Sequence, residues 1–283
     1  MERIKYLSRL PNSRKLNDLA LIGTHKSLSY TANIDRLHTQ DFDIVRQLKY
    51  GIRVLHVEVH QKSNWFEITL FGVKIQITFS HLLKIIDNFL SDNSWEFVIM
   101  FLEIKLELKS DVPEKNCHII DHYIKTAKGG KRLVKNWRLN DTIGEHRGKI
   151  LLASNDKSLA KCIFDITLYC QIGKVDFISF GNIFSYVVPS IGRNLFRPNR
   201  SFECFIDNIS YDDGINSRRV IARDGGLYRG GKCLPPINQL MIDVFEKPYK
   251  FLSITIADFV TQELMDKIND CNFDNLSWRS KWD

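Results

Sequence analysis

A histidine follows a short apolar run near the start of the chain. Residues 19–22 read LALI, the pattern of a buried parallel strand, and Gly23 ends the run. The polar residues THKS, 24–27, follow at once and would lie at the carboxyl end of that strand. Catalytic groups collect at this end in α/β barrels, and a histidine there can transfer a proton near neutral pH. His25 is therefore a candidate catalytic residue, although a lone histidine after a strand is more often structural.

Two later apolar runs also carry polar residues. Residues 52–59 read IRVLHVEV, which alternates as a strand does, and residues 95–106 read WEFVIMFLEIKL. Their titratable side chains of interest are His56, Glu58, Glu103 and Lys105. Because side chains two positions apart on a strand point the same way, His56 and Glu58 are expected on one face.

Strand-like and helix-like segments alternate along the 283-residue chain. Further strands are predicted at 149–154, 175–180, 239–245 and 251–257, a hairpin at 66–78, and helices at 81–90 and 113–125. The stretches 193–200 and 212–236, rich in Gly, Asn, Pro and Arg, are predicted to be long loops. Strands alternating with helices are typical of a parallel sheet. The sequence therefore predicts one α/β domain over residues 1–283, a single (β/α)8 barrel of the TIM type, regular or irregular.

The chain is basic, with 40 Lys and Arg against 33 Asp and Glu and a formal net charge of +7. Such a balance favours an anionic partner: a lipid head group, a phosphorylated ligand or nucleic acid. Nucleic acid is not expected, because no helix-turn-helix, zinc-finger or RNA-binding motif occurs. Arginine and phenylalanine interleave over residues 193–205, which suits docking on an anionic membrane, although most such runs are solvated surface.

The sequence also indicates a compartment. No apolar run reaches transmembrane length, and the charged first residues are not followed by the apolar core of a signal peptide. The prediction is a cytoplasmic protein that can associate peripherally with membranes. The six cysteines lack metal-ligand spacing, and in a reducing compartment they are expected to be free thiols.

Several segments resemble one enzyme family. Residues 10–27, LPNSRKLNDLALIGTHKS, resemble the opening of phosphatidylinositol-specific phospholipase C catalytic (X) domains, and residues 48–59 resemble their second-strand signature. Similar likenesses occur at 89–103, 143–152 and 254–260. The resemblance covers roughly 10–155 and 250–265, and it identifies the chain as a divergent member of the phospholipase C-like phosphodiesterase superfamily.

The resemblance implies roles for individual residues. His25 matches the general base that deprotonates the inositol 2-hydroxyl, and Asp258 matches the aspartate that pairs with this base. Such an aspartate fixes the tautomer of the histidine and stabilises the imidazolium. Lys26 and Lys105 are candidate substrate-binding residues.

The chain also departs from the family pattern. No histidine occurs between His60 and His81, where the family has its second histidine, the general acid, and the counterpart of that motif is Phe71–Gly72. Glu58 stands where bacterial members have the arginine that neutralises the phosphate. Loss of an acid and of a cation clamp would each cost orders of magnitude in rate.

A metal could replace the missing arginine. Metal-dependent members of the superfamily carry acidic ligands at the positions of His56, Glu58 and Glu103, and such a set could hold Mg²⁺ or Ca²⁺ as a Lewis acid. The alternative is that Glu58 forms a buried salt bridge with Lys26 or Lys105. Spacing alone does not decide between them.

Two functions are therefore predicted. The first is a phosphoric diester hydrolase of the phosphatidylinositol-specific phospholipase C type, with a degenerate site, acting on a phospholipid or its head group. The second is a catalytically inactive pseudoenzyme that binds anionic lipid or a protein partner.

Overall fold

A curled, mostly parallel sheet carries the candidate site residues. The computed structural model describes residues 3–104, 113–159, 161–174, 203–229, 232–245 and 251–274. The strands in these ranges are β1 (Ala20–Thr24), β2 (Val54–Gln61), β3 (Phe66–Leu70), β4 (Val73–Lys74), β5 (Val98–Ile104), β6 (Leu133–Val134), β7 (Ile150–Ser154), β8 (Phe164–Asp165), β9 (Cys170–Lys174), β10 (Cys204–Asn208), β11 (Leu227–Arg229), β12 (Lys232–Leu234) and β13 (Leu252–Ala257).

The order of the main sheet is β6-β7-β5-β2-β1-β13-β10-β9, and every neighbouring pair in this order is parallel. The antiparallel hairpin of β3 and β4 extends from β2. The sheet is curled, because Phe101 of β5 and Ile172 of β9 line the same cavity of about 60 Å³, together with Ile206 and Ile256. The prediction of an irregular TIM-type barrel is confirmed.

The helices lie outside this sheet. They are α1 (Ile44–Lys49), α2 (Phe79–Asp92), α3 (Pro113–Thr126), α4 (Ile143–His146), α5 (Ile166–Tyr169), α6 (Ile237–Val244) and α7 (Gln262–Asp274). Helix α2 begins where the Thr78 side chain accepts a hydrogen bond from the His81 backbone N–H, and it buries Leu82, Ile86 and Leu90. Within the described ranges no helix is long and apolar enough to cross a bilayer.

Alternation along the strands separates an inner core from an outer core. Leu21, Ile99 and Ile254 belong to the inner cluster, whereas Ile22 and Met100 belong to the outer cluster under the helices. The same alternation places the polar residues at the strand ends on the inner face. In the register of β2 and β5, Glu58 pairs directly with Glu103. The barrel mouth at the carboxyl ends of the strands therefore gathers these side chains.

Arg53 forms a fully buried ion pair near the start of β2, at the other end of the barrel. Its guanidinium lies 2.7 Å from the Glu96 carboxylate, and neither side chain is exposed. It also donates to the carbonyl oxygens of Leu48, Ile52 and Ile4. These contacts satisfy the buried charge and join the amino-terminal arm to the barrel base.

Several predicted elements are confirmed, and two are wrong. The hairpin at 66–78 and the strand at 251–257 are present as β3–β4 and β13. Residues 212–236, predicted as a long loop, contain a helical turn at Val220–Asp224 and the antiparallel hairpin of β11 and β12. Residues 239–245 form most of helix α6 and not a strand, because Ile237, Leu240 and Met241 are buried at helical spacing. The predicted strand at 175–180 and the predicted loop at 193–200 lie outside the described residues.

The prediction of free thiols is wrong for four cysteines. Cys117 in α3 is bonded to Cys162, and Cys170 is bonded to Cys204. The second bridge joins residues that are direct partners in the pairing of β9 with β10. Cys233 and Cys271 remain as thiols. The sequence did not indicate either disulfide, because the bonded cysteines are 45 and 34 residues apart in the chain.

Candidate active site

His25 and Asp258 form a buried dyad at the mouth of the barrel. His25 follows β1 and Asp258 follows β13, and these strands are paired in parallel with Thr24 opposite Ala257. His25 Nδ1 lies 2.7 Å from Asp258 Oδ1, and the two side chains are 9% and 1% exposed. In the tautomer in which Nδ1–H donates to the carboxylate, Nε2 is free to accept a proton. The contact expected from the sequence is confirmed, and the catalytic roles stay predictions.

A polar segment between β1 and α1 holds the two strand ends together. The Thr39 hydroxyl donates to the His25 carbonyl oxygen at 2.6 Å, and the Gln40 side-chain amide donates to the Ala257 carbonyl oxygen at 2.8 Å. From α6, the Asn238 side-chain amide donates to the Phe259 carbonyl oxygen at 2.9 Å. These bonds position the dyad, and sequence reasoning did not find them because they join distant segments.

The residue after each dyad member has an unusual backbone. Lys26 has φ 44° and Phe259 has φ 43°, in the left-handed region that side-chain-bearing residues seldom adopt. Such strain persists where the surroundings enforce it, and it is common at functional sites. The chain therefore makes a sharp turn immediately after each dyad residue.

The Lys26 ammonium lies between two carboxylates. It donates to Glu58 and to Glu103, and the Lys26 side chain is 5% exposed. Glu58 also accepts hydrogen bonds from the Thr69 hydroxyl and the Gly72 backbone N–H, both at 2.7 Å. Burial raises the pKa of Glu58, but the Lys26 charge and these bonds outweigh it, so that the net pKa lies below its usual value. The buried salt bridge weighed as an alternative is thus present between Glu58 and Lys26.

His56 pairs with Glu103 beside the dyad. Its Nε2 lies 3.0 Å from Glu103 Oε2, and its ring stacks at 5.3 Å between centroids on the ring of His25. Burial lowers the pKa of His56 to about 4, against the opposing pull of Glu103. The imidazole is therefore neutral at pH 7, and its proton on Nε2 is held by Glu103 and not offered to a substrate.

The proposed metal ligands do not form an open coordination site in the described residues. His56, Glu58 and Glu103 do converge, but the ammonium of Lys26 fills the space between the two carboxylates. Among the described residues no group of three ligand-type side chains is arranged for a metal ion. A bound Mg²⁺ or Ca²⁺ would have to displace Lys26, so the donor set does not fit a metal in this arrangement, and the metal site stays a prediction.

Phe71 is the residue that the sequence analysis matched to the family's general-acid motif, and it lies beside His25. It forms, with Gly72, the two-residue turn between β3 and β4, and both residues have positive φ, 50° and 82°. Two-residue turns of this kind favour Asn, Asp and Gly, so Phe is an uncommon choice. The Phe71 ring lies 6.0 Å from the His25 ring, and the Lys26 ammonium is 5.6 Å from its centroid. An aromatic ring therefore lies where a proton donor was expected.

Arg218 reaches the same site from the segment after β10, which sequence reasoning assigned to a loop. Its guanidinium carbon lies 4.5 Å above the Phe71 ring, and its Nη1 is 3.7 Å from Asp258 Oδ2. Sequence reasoning did not single it out, because residues 155–250 gave no match to the family pattern. Lys105, the other candidate cation, lies outside the described residues.

Fold and site together define a class: an irregular, mostly parallel α/β barrel with a histidine–aspartate dyad directly after the paired strands β1 and β13. Residues 12–129 match the PI-PLC X family model. The chain is 26% identical to the 1-phosphatidylinositol phosphodiesterase of Listeria monocytogenes over 158 residues, which are 54% of this chain and 49% of that protein. The matched region thus spans about half the length of this curated relative.

Solved structures show the same fold. The phosphatidylinositol-specific phospholipase C of Listeria monocytogenes superposes with a TM-score of 0.70 at 19% identity, over 96% of this chain and 99% of that one. A Staphylococcus aureus enzyme of the same name superposes with a TM-score of 0.71 at 15% identity, over 94% and 97% of the two chains. The resemblance found in the sequence is confirmed: residues 12–129 match the PI-PLC X family model, and the chain shares the fold of phosphatidylinositol-specific phospholipases C.

Proposed function

We propose that the protein binds the phosphodiester of a phosphatidylinositol-type lipid and cleaves it slowly, with His25 as general base. The observation that carries this proposal is the buried bond between His25 and Asp258, which leaves Nε2 of His25 free to accept a proton. The pair also lies at the barrel mouth, where the catalytic groups of such folds collect.

The proton balance indicates why turnover would be slow. His25 Nε2 takes the proton of the inositol 2-hydroxyl, the freed oxygen attacks phosphorus, and the bond from phosphorus to the glycerol oxygen breaks. That leaving oxygen needs a proton, and Phe71 cannot supply one. The proton would come from water, at a cost of about two to four decades in rate.

Binding without turnover is the second candidate. It is favoured by the charges around Lys26, because the two carboxylates of Glu58 and Glu103 outnumber its single ammonium and leave this cluster with a net negative charge. A phosphodiester in the site would then lack both the acid and this cation. A pseudoenzyme would keep the fold and the anionic ligand but not the reaction.

The exposed residues around the cavity that Phe259 lines suit a lipid surface as the partner. The side chain of Ile215 is 89% exposed and that of Ile34 is 43% exposed, and Arg36 and Arg219 lie near them around one cavity next to Phe259. Exposed apolar side chains among arginines suit an anionic bilayer. The Staphylococcus aureus phosphatidylinositol-specific phospholipase C, which shares this fold, has a membrane binding that can be modulated. A cytoplasmic location and a protein partner stay proposals.

A phosphodiesterase assay separates the candidates. Phosphatidylinositol and glycerophosphodiesters would be tested with wild type, His25→Ala and Asp258→Asn, each with Mg²⁺, with Ca²⁺ and with a chelator. Slow hydrolysis that His25→Ala abolishes, unaffected by chelator, is expected. Background rates in every case would support the pseudoenzyme, and turnover that survives His25→Ala would contradict the role of the dyad. Activity that needs a metal would revive the ligand set His56, Glu58 and Glu103.

A further inference from the structure

Arg218 carries more hydrogen-bond donors than the described residues use. A guanidinium has five N–H donors. One bond is formed, from Nη2 to Asp212 Oδ2 at 2.5 Å. No other hydrogen bond of this side chain occurs within the described ranges, although the side chain is only 14% exposed. None of the Arg218 nitrogen atoms is both fully buried and unpaired, so the remaining donors reach solvent and are available to an anionic ligand.

Arg218 lines a large cavity. This cavity has a volume of about 620 Å³ and lies between the segments 35–38 and 212–219, with Phe259 in its wall. Its charged lining consists of three arginines and two aspartates: Arg36, Arg218, Arg219, Asp35 and Asp212. The lining is therefore more cationic than anionic, in contrast to the surroundings of Lys26.

Arg218 also contacts the dyad side of the site. Its Nη1 is 3.7 Å from Asp258 Oδ2, an oxygen that is buried and accepts no hydrogen bond from the described residues. Its guanidinium packs on Phe71, whose ring faces His25. The Arg218 side chain thus lines the cavity and also contacts Asp258 and Phe71. Arg218 therefore lies between this cavity and Asp258, the partner of His25.

We propose that Arg218 is the phosphate-binding residue of this site, replacing the arginine that the family carries at the position of Glu58. The proposal rests on the proposed function, since it names the group that binds the phosphate of that same ligand. Its guanidinium can bind a phosphate with two parallel N–H bonds, as Lys26 cannot, because the Lys26 ammonium is held by two carboxylates. Asp212, which is 43% exposed, competes with the ligand for Arg218.

The test measures binding of inorganic phosphate by calorimetry at constant low ionic strength. Arg218→Gln is expected to weaken phosphate binding at least tenfold, and Arg218→Lys to weaken it less, because a lysine keeps the charge but loses the two-pronged geometry. Arg223→Gln is the matched control: Arg223 lies on the same segment and pairs with Asp41 and Asp224, but it does not line the cavity. This control should stay within twofold of wild type.

A second variant separates ligand binding from a structural ion pair. Asp212→Asn removes the competing carboxylate and should tighten phosphate binding severalfold. If Arg218 served only to pair with Asp212, this change would destabilise the fold and leave the affinity unchanged. Equal affinities of wild type and Arg218→Gln, or no binding by wild type at millimolar phosphate, would overturn the proposal.

The outcomes also separate this proposal from the proposed function. Loss of phosphate binding in Arg218→Gln together with no hydrolysis by wild type would refute the enzyme and keep the binding residue. Hydrolysis that depends on His25 but is unchanged in rate and KM by Arg218→Gln would keep the enzyme and refute the role of Arg218.

Discussion

At position 71 a phenylalanine ring faces the candidate base, where a proton donor would complete acid–base catalysis. Because the ring lies 6.0 Å from the His25 ring, Phe71→His would place an imidazole at the same boundary of the site. Histidine also tolerates the positive φ of this turn residue better than phenylalanine does.

The first prediction is that Phe71→His raises hydrolysis of phosphatidylinositol by about tenfold to a thousandfold, because a general acid contributes about two to four decades when well placed. The measurement is the initial rate on phosphatidylinositol micelles at pH 6–8. Phe71→Leu is the control that removes the ring without adding a proton donor. Equal rates for the histidine and leucine variants would show that the missing acid does not limit the reaction.

The second prediction concerns His56 and pH. Its pKa is 6.5 when unfolded and about 4 when folded, because burial disfavours the charged form. Between these values the unfolded state binds more protons, so stability falls as pH decreases from about 6.5 to about 4. The expected loss is about 3 kcal/mol, at about 1.4 kcal/mol per unit. Urea denaturation across this range should show the slope in wild type, and His56→Asn should reduce it. The same slope in both proteins would contradict this origin.

Individual strands show what sequence can and cannot predict. The positions of β1, β2 and β13 followed from short apolar or alternating runs, and strand alternation placed His56 and Glu58 on one face. The contact of His25 with Asp258 followed from the family match, because 233 residues separate them. Arg218 was missed because its segment resembles a polar loop, and its function depends on tertiary contacts with Phe71 and Asp258. Residues 239–245 were assigned to a strand because their helical pattern is short.

The third prediction concerns the buried ion pair at the base of β2. Arg53→Ala leaves the Glu96 carboxylate buried without its partner, which typically costs about 3–5 kcal/mol. The free energy of unfolding in urea measures this loss. Arg132→Ala is the control, since Arg132 pairs with Asp87 and is 25% exposed. Similar small losses in both variants, below about 1 kcal/mol, would mean that the buried pair adds little to stability.

At the scale of the whole molecule, the two disulfides cross-link the middle of the chain, between residues 117 and 204. The fourth prediction is that the denatured, unreduced protein has two reactive thiols, Cys233 and Cys271, and that reduction gives six. Thiol titration with and without reductant measures both values. Each bridge should add about 2–4 kcal/mol to stability by restricting the unfolded chain. Six reactive thiols before reduction would restore the free-thiol expectation and support a reducing compartment.

The fifth prediction concerns membrane association. The net charge of +7 should attract the protein to anionic vesicles, and added salt should weaken binding, because charges are screened within about 10 Å at 0.1 M ionic strength. Co-sedimentation with vesicles of anionic or neutral lipid at two salt concentrations measures the effect. Ile215→Ser should weaken binding at both salt concentrations, since its exposed side chain would lose apolar contact with the bilayer. Equal binding to both vesicle types at low salt would exclude lipid charge as the attraction.

The two-residue alternation of the strands also limits how this site can evolve. A substitution at position 56, 58 or 103 changes the chemistry at the mouth and leaves the neighbouring positions in place. An insertion or deletion of one residue in β2 would instead turn His56 and Glu58 toward the helices and bring Val57 to the mouth. Such a site is therefore expected to change by exchange of residues at fixed positions, as the family resemblance implies for Glu58, while gains and losses of length are confined to the connections between strands.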